Sequence, residues 1–519
     1  MTPPVRTARP RSLAVATSAP LVIGAHTQAG SSSYLVLPIG VVVVACVLAA
    51  YAYLVRRRRA DSRTTPGGSG ALPRPVPPAA PAFDVLDADT RAALVAVDES
   101  VRTSEEELDC ARAASGAEAV RPFADALTHA RAELAVAFRL RQELDEGRPE
   151  DEAARRGVLA EMAARCAGAG RRLDAEADAF DELRALDRDA APAIASAETA
   201  FRELTTRTGA AEATLTTMLR QYAPSASAPV ARHVEEAKDR LMFATTSLVG
   251  ARQALDAGDG EGAAVRVRAA EGAVDQTAVL VASVERRERE LADAARLLPD
   301  LLTLCEAAPA DGRGELAAVR EESTAGPYDP IDALRRIHEI SAPGDEPPPA
   351  PALRDTATLV AQASVAAAGA YIATHRGAVG SLARTRLAAA LSRLASAPPA
   401  DSDPAGALHS ARAADALARE ALALAEQDAA AYGQQDVAGR TGDGGLGGAL
   451  LGGIVLPAPP NATPPDTAPP DTAPPNGTPP DPVPPDAAPL TPTPPHPAVG
   501  PACFGGPATR GRRAGGGPR

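Results

Sequence analysis

Histidines and cysteines are the side chains that could bind a metal ion or act as nucleophiles, and they are scattered along this 519-residue chain. A zinc site or a metalloprotease centre needs such residues at short spacing, as in C-x-x-C or H-E-x-x-H. Neither pattern occurs, so the sequence predicts no catalytic, cofactor-binding or metal-binding residue and no enzyme. The residues considered are His26, His129, His233, His338, His375, His409, His496, Cys46, Cys110, Cys166, Cys305 and Cys503.

The spacing of these residues instead predicts structural roles. Isolated histidines are expected to be ordinary surface or helix-face residues. Scattered cysteines are compatible with a reducing cytoplasm, and Cys166 and Cys305 are expected in the core, where a free thiol behaves as a small apolar group.

Three glycines, Gly442, Gly444 and Gly447, match G-x-G-x-x-G literally. A dinucleotide-binding loop of this kind must follow a strand and open a helix. Here the pattern follows a helical run and precedes more glycine, so we expect no nucleotide cofactor.

The charge balance argues against nucleic-acid binding. The formal net charge is -13, and Lys238 is the only lysine. A phosphate-binding surface needs a local excess of positive charge, which the helical runs do not show. Charged runs such as Glu105–Glu107 and Glu285–Glu288 are expected to be solvated helix faces with pairs four residues apart.

The elements that carry these residues are predicted to be helices. Aromatic residues make up 3% of the chain and tryptophan is absent, which favours long helices packed along narrow apolar faces. Leu159, Cys166, Leu173 and Phe180 recur at intervals of seven and predict one buried face, packed within the chain or against a second chain. The fold class is therefore all-α, with long antiparallel helical hairpins or a coiled-coil bundle.

A membrane span is predicted at residues 34–55, which are uncharged and are followed by Arg56–Arg59. Twenty-two helical residues rise about 33 Å, enough to cross a hydrocarbon core of about 30 Å. The arginines predict an N-terminus outside the cell membrane and a cytoplasmic C-terminal domain. A buried core helix is the alternative for residues 34–55, and a cleaved signal peptide is an alternative for the residues before them.

The rest of the chain divides by composition. The predicted parts are a short extracytoplasmic segment at 1–33, the transmembrane helix at 34–55, a basic and Pro/Gly-rich linker at 56–82, a helical coiled-coil domain at 83–308, a weakly helical, proline-containing connector at 309–352, a second helical hairpin at 353–432, and a disordered Gly/Pro-rich tail at 433–519.

Five segments stand out together, at residues 147–166, 267–276, 374–387, 444–456 and 504–513. They resemble the cytoplasmic helical region of actinobacterial TPM domain-containing membrane proteins. In that family a secreted α/β TPM domain precedes the membrane helix, but only 33 residues precede residue 34 here, so we expect no TPM domain. The phosphatase-like or metal-binding activity suggested for that domain therefore has no matching residues in this sequence.

These observations favour a single-pass, membrane-anchored helical scaffold or partner-binding protein on the cytoplasmic face, without catalysis. The expected partners are membrane lipid and either a protein or a second copy bound through the helix faces. Two alternatives stay open, namely a signal-transmitting, receptor-like protein and a remnant of a TPM-domain protein that has lost its extracytoplasmic domain.

Overall fold

The computed structural model describes residues 82–307, 313–340, 351–398, 403–439 and 503–514. Within these ranges the secondary structure is helical and no strand occurs, which confirms the predicted all-α class. The predicted span at 34–55, the arginines at 56–59 and the glycine pattern at 442–447 lie outside the described residues.

The first four helices form one apolar core with the terminal residues. Asp151 caps the third helix by accepting a hydrogen bond of 2.9 Å from the Ala154 backbone N–H, as expected of a helix N-cap. Glycine 116, with a φ of +84°, follows the end of the first helix. The helices are α1 (Phe83–Ser115), α2 (Arg121–Asp145), α3 (Glu152–Asp174) and α4 (Ala177–Arg184).

The predicted apolar face on the third run is buried. Leu159, Cys166, Leu173 and Phe180 are each at most 1% exposed. The helix nevertheless breaks after Asp174, so Phe180 belongs to α4. Spacing by seven therefore identified the buried positions correctly, whereas the expectation that one helix carries all four residues is wrong. The predicted coiled-coil packing stays a prediction.

A central helix of 48 residues follows. At 1.5 Å per residue it extends about 72 Å, and it packs against the helices on both sides of it in the sequence. Its buried residues contribute to three apolar clusters, which follow one another along the helix. The helices here are α5 (Ala191–Gln221), α6 (Pro224–Ser227), α7 (His233–Asp256) and the central α8 (Gly260–Ala307).

The predicted connector at 309–352 contains two helices, so it is more helical than its prolines suggested. Leu316 and Val319 of the first and Ile331, Leu334 and Ile337 of the second join the largest apolar cluster. Burial of these side chains offsets weak local helix preference. The remaining helices are α9 (Arg313–Ala325), α10 (Pro330–Ile340), α11 (Pro351–Thr374), α12 (Ser381–Ala395) and α13 (Pro404–Gly439).

Helix α11 is the one helix in the described ranges that is long and apolar enough to cross a membrane. Half of its most apolar stretch is buried in the protein, and it packs against α8, α10 and α13. Core helices of soluble proteins meet the same length and composition criteria.

The expectation of a disordered tail over 433–519 is corrected at two places. Helix α13 continues to Gly439, and residues 503–514, which include α14 (Pro507–Ala514), pack against α1 and α3. We call residues 503–514 the terminal segment. Its first two residues, Cys503 and Phe504, are fully buried, and this burial compensates the entropy of ordering a Gly-rich peptide.

Candidate interaction site

Three phenylalanine rings meet where the terminal segment enters the fold. Phe504 stacks on Phe180 with 4.4 Å between ring centroids, and Phe123 meets both rings edge-on at 5.1 Å and 5.8 Å. The chain has only seven phenylalanines, so nearly half of them meet at one point. Such pairs contribute about 0.5 to 1.5 kcal/mol beyond their burial, which makes this cluster the apolar anchor of the terminal segment.

Two glycines allow the terminal segment to lie directly on α3. A Cβ added at Gly506 would overlap the carbonyl oxygen of Gly170, and a Cβ at Gly170 would lie 2.9 Å from Cδ of Pro507. Backbone atoms cannot give way as a flexible side chain can. The close approach therefore requires glycine on both sides.

Polar groups of α1 and α3 bind the same segment. The Gly505 N–H donates to Ser104 Oγ at 3.2 Å, and the Arg510 guanidinium donates to Thr103 Oγ1 at 3.1 Å. The Thr509 N–H, in the first turn of α14, donates to Asp174 Oδ1 at 2.9 Å, so a carboxylate at the end of α3 satisfies an otherwise unpaired helix N–H. These groups, with the aromatic rings, form the docking site, which comprises Thr103, Ser104, Phe123, Gly170, Asp174, Phe180 and Asp181.

An ion-pair network extends from the docking site into the core. Asp181 binds Arg513 of the terminal segment and, at 2.9 Å, Arg268 of α8. Glu107 lies 3.4 Å from Arg268 and 3.5 Å from Arg184. Glu107 is 4% exposed, so the expectation that Glu105–Glu107 form a solvated face is wrong for this residue. Its charge is buried because two arginines from other helices neutralise it.

The same side of α1 also binds arginines that follow α11. Arg376 reaches both oxygens of Glu106, at 2.6 Å and 2.9 Å, and lies 3.6 Å from Glu99. Arg384 of α12 pairs with Asp98 and, at 2.6 Å, with Glu99. Paired guanidinium and carboxylate groups of this kind lock relative helix positions. The acidic stretch of α1 thus binds arginines of α4, α8, the segment after α11, and α12.

The second charged run also differs from the expectation. Arg287 is buried and its Nε donates to the Ala226 carbonyl oxygen at 2.7 Å, whereas Glu288 is exposed. A single sequence run therefore contains a solvated residue and a core residue, because the surface of a helix turns through about 100° per residue.

Burial changes the proton affinity of Glu271, on α8. Its side chain is 10% exposed and its carboxylate lies 2.5 Å from Arg184. Burial raises the pKa of Glu271 to about 7, although Arg184 acts in the opposite direction. This carboxyl group therefore binds a proton near neutral pH, next to the network that includes Glu107.

The histidines occupy different environments. His129 and His409 are exposed, whereas His233 and His338 are buried, and burial lowers the pKa of each buried ring to about 4. His375 stacks on Tyr371 with 4.2 Å between ring centroids, so it is a packed side chain and its replacement is expected to affect stability. His26 and His496 lie outside the described residues.

Possible metal ligands and thiols are the remaining candidates for chemistry among the described residues. Among the described residues, no group of three His, Cys, Asp or Glu side chains could hold a metal ion. The four described cysteines, Cys110, Cys166, Cys305 and Cys503, are free thiols. Burial raises the pKa of the Cys110 and Cys166 thiols, which disfavours the nucleophilic thiolate. What the arrangement does is hold residues 503–514 of the same chain against α1, α3 and α4.

Comparison with known proteins finds two curated relatives. This chain is similar to UPF0603 proteins. The matches are from Mycobacterium tuberculosis strains CDC 1551 / Oshkosh and ATCC 25618 / H37Rv, each 33% identical over 385 residues and covering 67% of this chain. The chain spans 58% of the length of these relatives. No family model and no solved structure matches.

The mycobacterial matches agree with the actinobacterial part of the resemblance, whereas the TPM part has no support from a family model.

The docking of residues 503–514 was missed by sequence reasoning. One available signal was Phe504, an aromatic residue in a chain with few of them, placed after a long Pro/Gly-rich stretch.

Proposed function

We propose that this chain is a non-catalytic helical scaffold that binds partners through short peptide segments. The observation that carries the proposal is the terminal segment, which is attached through residues 440–502 yet is held by aromatic, backbone and ionic contacts at one site. The docking site contacts the Phe-Gly-Gly-Pro sequence of residues 504–507 through its rings, backbone and side chains. Such contacts are typical of a site that binds short linear motifs.

We further propose that the scaffold is anchored in the cell membrane by residues 34–55, with its N-terminus outside and the helical domain in the cytoplasm. The support is the uncharged run and the four arginines after it. Alkaline phosphatase fused after residue 60 should be inactive, and its activity should rise when Arg56–Arg59 are replaced by serine. High activity in the unmodified fusion would exclude this orientation.

The peptide-binding proposal can be tested in the full chain. Gly506→Ala should release the terminal segment, because the added Cβ meets the Gly170 backbone. A fluorescent peptide of residues 503–514 should then bind the emptied docking site saturably. The parent chain should bind it far more weakly, because a tethered segment has an effective concentration of about millimolar.

Gly511→Ala is the matched control, since a Cβ at Gly511 meets no atom within 4 Å. That variant should behave as the parent. If the peptide fails to bind Gly506→Ala while the helical domain retains its circular dichroism, the docking site does not bind segments in trans and the proposal fails.

A further inference from the structure

A cavity of about 370 Å³ lies between α10, α11 and α13. None of its lining residues belongs to α1, α2, α3 or α4, which form the docking site. Its volume falls within the range of small-molecule pockets. The lining residues are Arg335, His338, Glu339, Ala357, Val360, Arg412, Asp415 and Arg419.

Positive charge exceeds negative charge at this cavity, although the whole chain has a net charge of -13. Three arginines face two acids, and one acid, Asp415, is already engaged. Its carboxylate accepts from Arg335 Nε at 3.0 Å and from Ser364 Oγ at 2.5 Å, and it lies 3.2 Å from Arg419 Nε. Asp415 therefore orients arginines and has little capacity left to bind a ligand cation.

Of two further cavity residues, His338 is buried and Arg412 is partly buried. Burial lowers the pKa of the Arg412 guanidinium, as expected where a charged group lies partly away from water. His338 is 4% exposed. Its ring faces the Thr356 backbone, but neither ring nitrogen makes a well-formed hydrogen bond within the described residues. A buried polar ring of this kind is stabilised when a ligand completes its hydrogen bonds.

The lining residues that α11 contributes are apolar. Ala357 and Val360 are each 2% exposed, so they present a dry surface beside the charged groups. Arg419, by contrast, has a side chain that is 50% exposed, which places it at the opening. A site with an apolar wall and a few converging polar groups is the usual form of a small-molecule pocket.

We propose that this cavity binds a small organic anion, with Arg412, Arg419 and His338 contacting a carboxylate or phosphate group and Ala357 and Val360 contacting its apolar part. This inference does not depend on the proposed peptide binding. A planar carboxylate and a tetrahedral phosphate each present two oxygens that a guanidinium can bind through two N–H groups.

The test is calorimetric titration of the purified full chain with benzoate, phenyl phosphate and the neutral analogue benzyl alcohol, at matched ionic strength. Saturable binding of at least one anion at one site per chain is expected, and the tighter anion identifies the preferred head group. Absence of saturable binding for both anions, or equal binding of benzyl alcohol, would overturn the proposal.

Arg412→Gln should weaken anion binding at least about tenfold, as expected for loss of a charge-assisted hydrogen bond. Arg336→Gln is the matched control on α10, because Arg336 pairs with Glu322 at 2.6 Å and does not line the cavity. It should bind within about twofold of the parent. Should Arg412→Gln fail to fold, the exposed Arg419→Gln decides. Unchanged affinity in every folded cavity variant would show that the anion binds elsewhere.

Discussion

Phe504 stacks on Phe180 with 4.4 Å between their ring centroids, although Phe504 follows the proline-rich tail and Phe180 belongs to α4. Both rings are fully buried. A residue near the end of the chain is therefore part of the same apolar core as α1, α2, α3 and α4. The stability of these helices should depend on a segment that its composition predicted to be disordered.

Replacing Phe504 by alanine should release the terminal segment and lower the melting temperature. Large-to-small changes of a buried phenylalanine cost about 3 to 5 kcal/mol, and this is an upper limit because the segment can detach without unfolding the other helices. Hydrogen exchange at residues 503–514 measures the detachment directly. Deleting residues 464–483 from the proline repeat is the control and should leave both exchange and melting unchanged. Retained protection at 503–514 in Phe504→Ala would contradict the anchoring role.

Replacing Leu173 by aspartate should unfold the N-terminal helices. Leu173 is fully buried in the cluster that contains Phe180. Truncating a buried leucine costs about 2 to 5 kcal/mol, and an unpaired carboxylate should cost at least as much. His129→Ala, at an exposed position on α2, should be nearly silent. Melting followed by circular dichroism tests both, and a parent-like melt of Leu173→Asp would show that this face is not buried in solution.

Arg384→Gln should strongly destabilise the contact between α12 and α1. The Arg384 side chain is 1% exposed, and its loss leaves Asp98 and Glu99 with less compensating charge in the core. Breaking a buried ion pair from one side typically costs about 3 to 5 kcal/mol. Arg91→Gln removes an arginine that is 50% exposed and should cost at most about 1 kcal/mol. Urea unfolding of the two variants compares these losses, and equal midpoints would refute the structural role of Arg384.

The free energy of unfolding should depend on pH through Glu271. Its pKa is raised to about 7 in the folded protein, above an unfolded value of about 4.3. The stabilisation from its bound proton is therefore complete below pH 4 and is lost as the pH rises to about 7. The groups facing it are Arg184, Glu107 and Arg268.

Glu271→Gln should remove this contribution, so its unfolding free energy should fall less than that of the parent between pH 5 and pH 7.5. Glu285→Gln is the control on the same helix, because Glu285 is 40% exposed and pairs with Arg207 near the surface. Urea midpoints measured at several pH values test the prediction. Parallel pH profiles for the parent and Glu271→Gln would exclude a role for this carboxyl group.

The sequence by itself determined the all-helical class and several buried positions. Leu159, Cys166 and Leu173 repeat at an interval that matches the helix period, and this local regularity predicts burial whatever the partner is. Cys305 was expected in the core because a free thiol behaves as a small apolar group, and it is buried.

Only the tertiary structure decided which distant groups meet. Glu107 belongs to an acidic run that looks solvated, and it is buried because Arg184 and Arg268 come from two other helices. The terminal segment has no periodic pattern, and its position depends on the close fit between Gly506 and Gly170 and on the ring of Phe180. Helix periodicity is a property of neighbouring residues, whereas charge compensation and backbone contact depend on residues far apart in the chain.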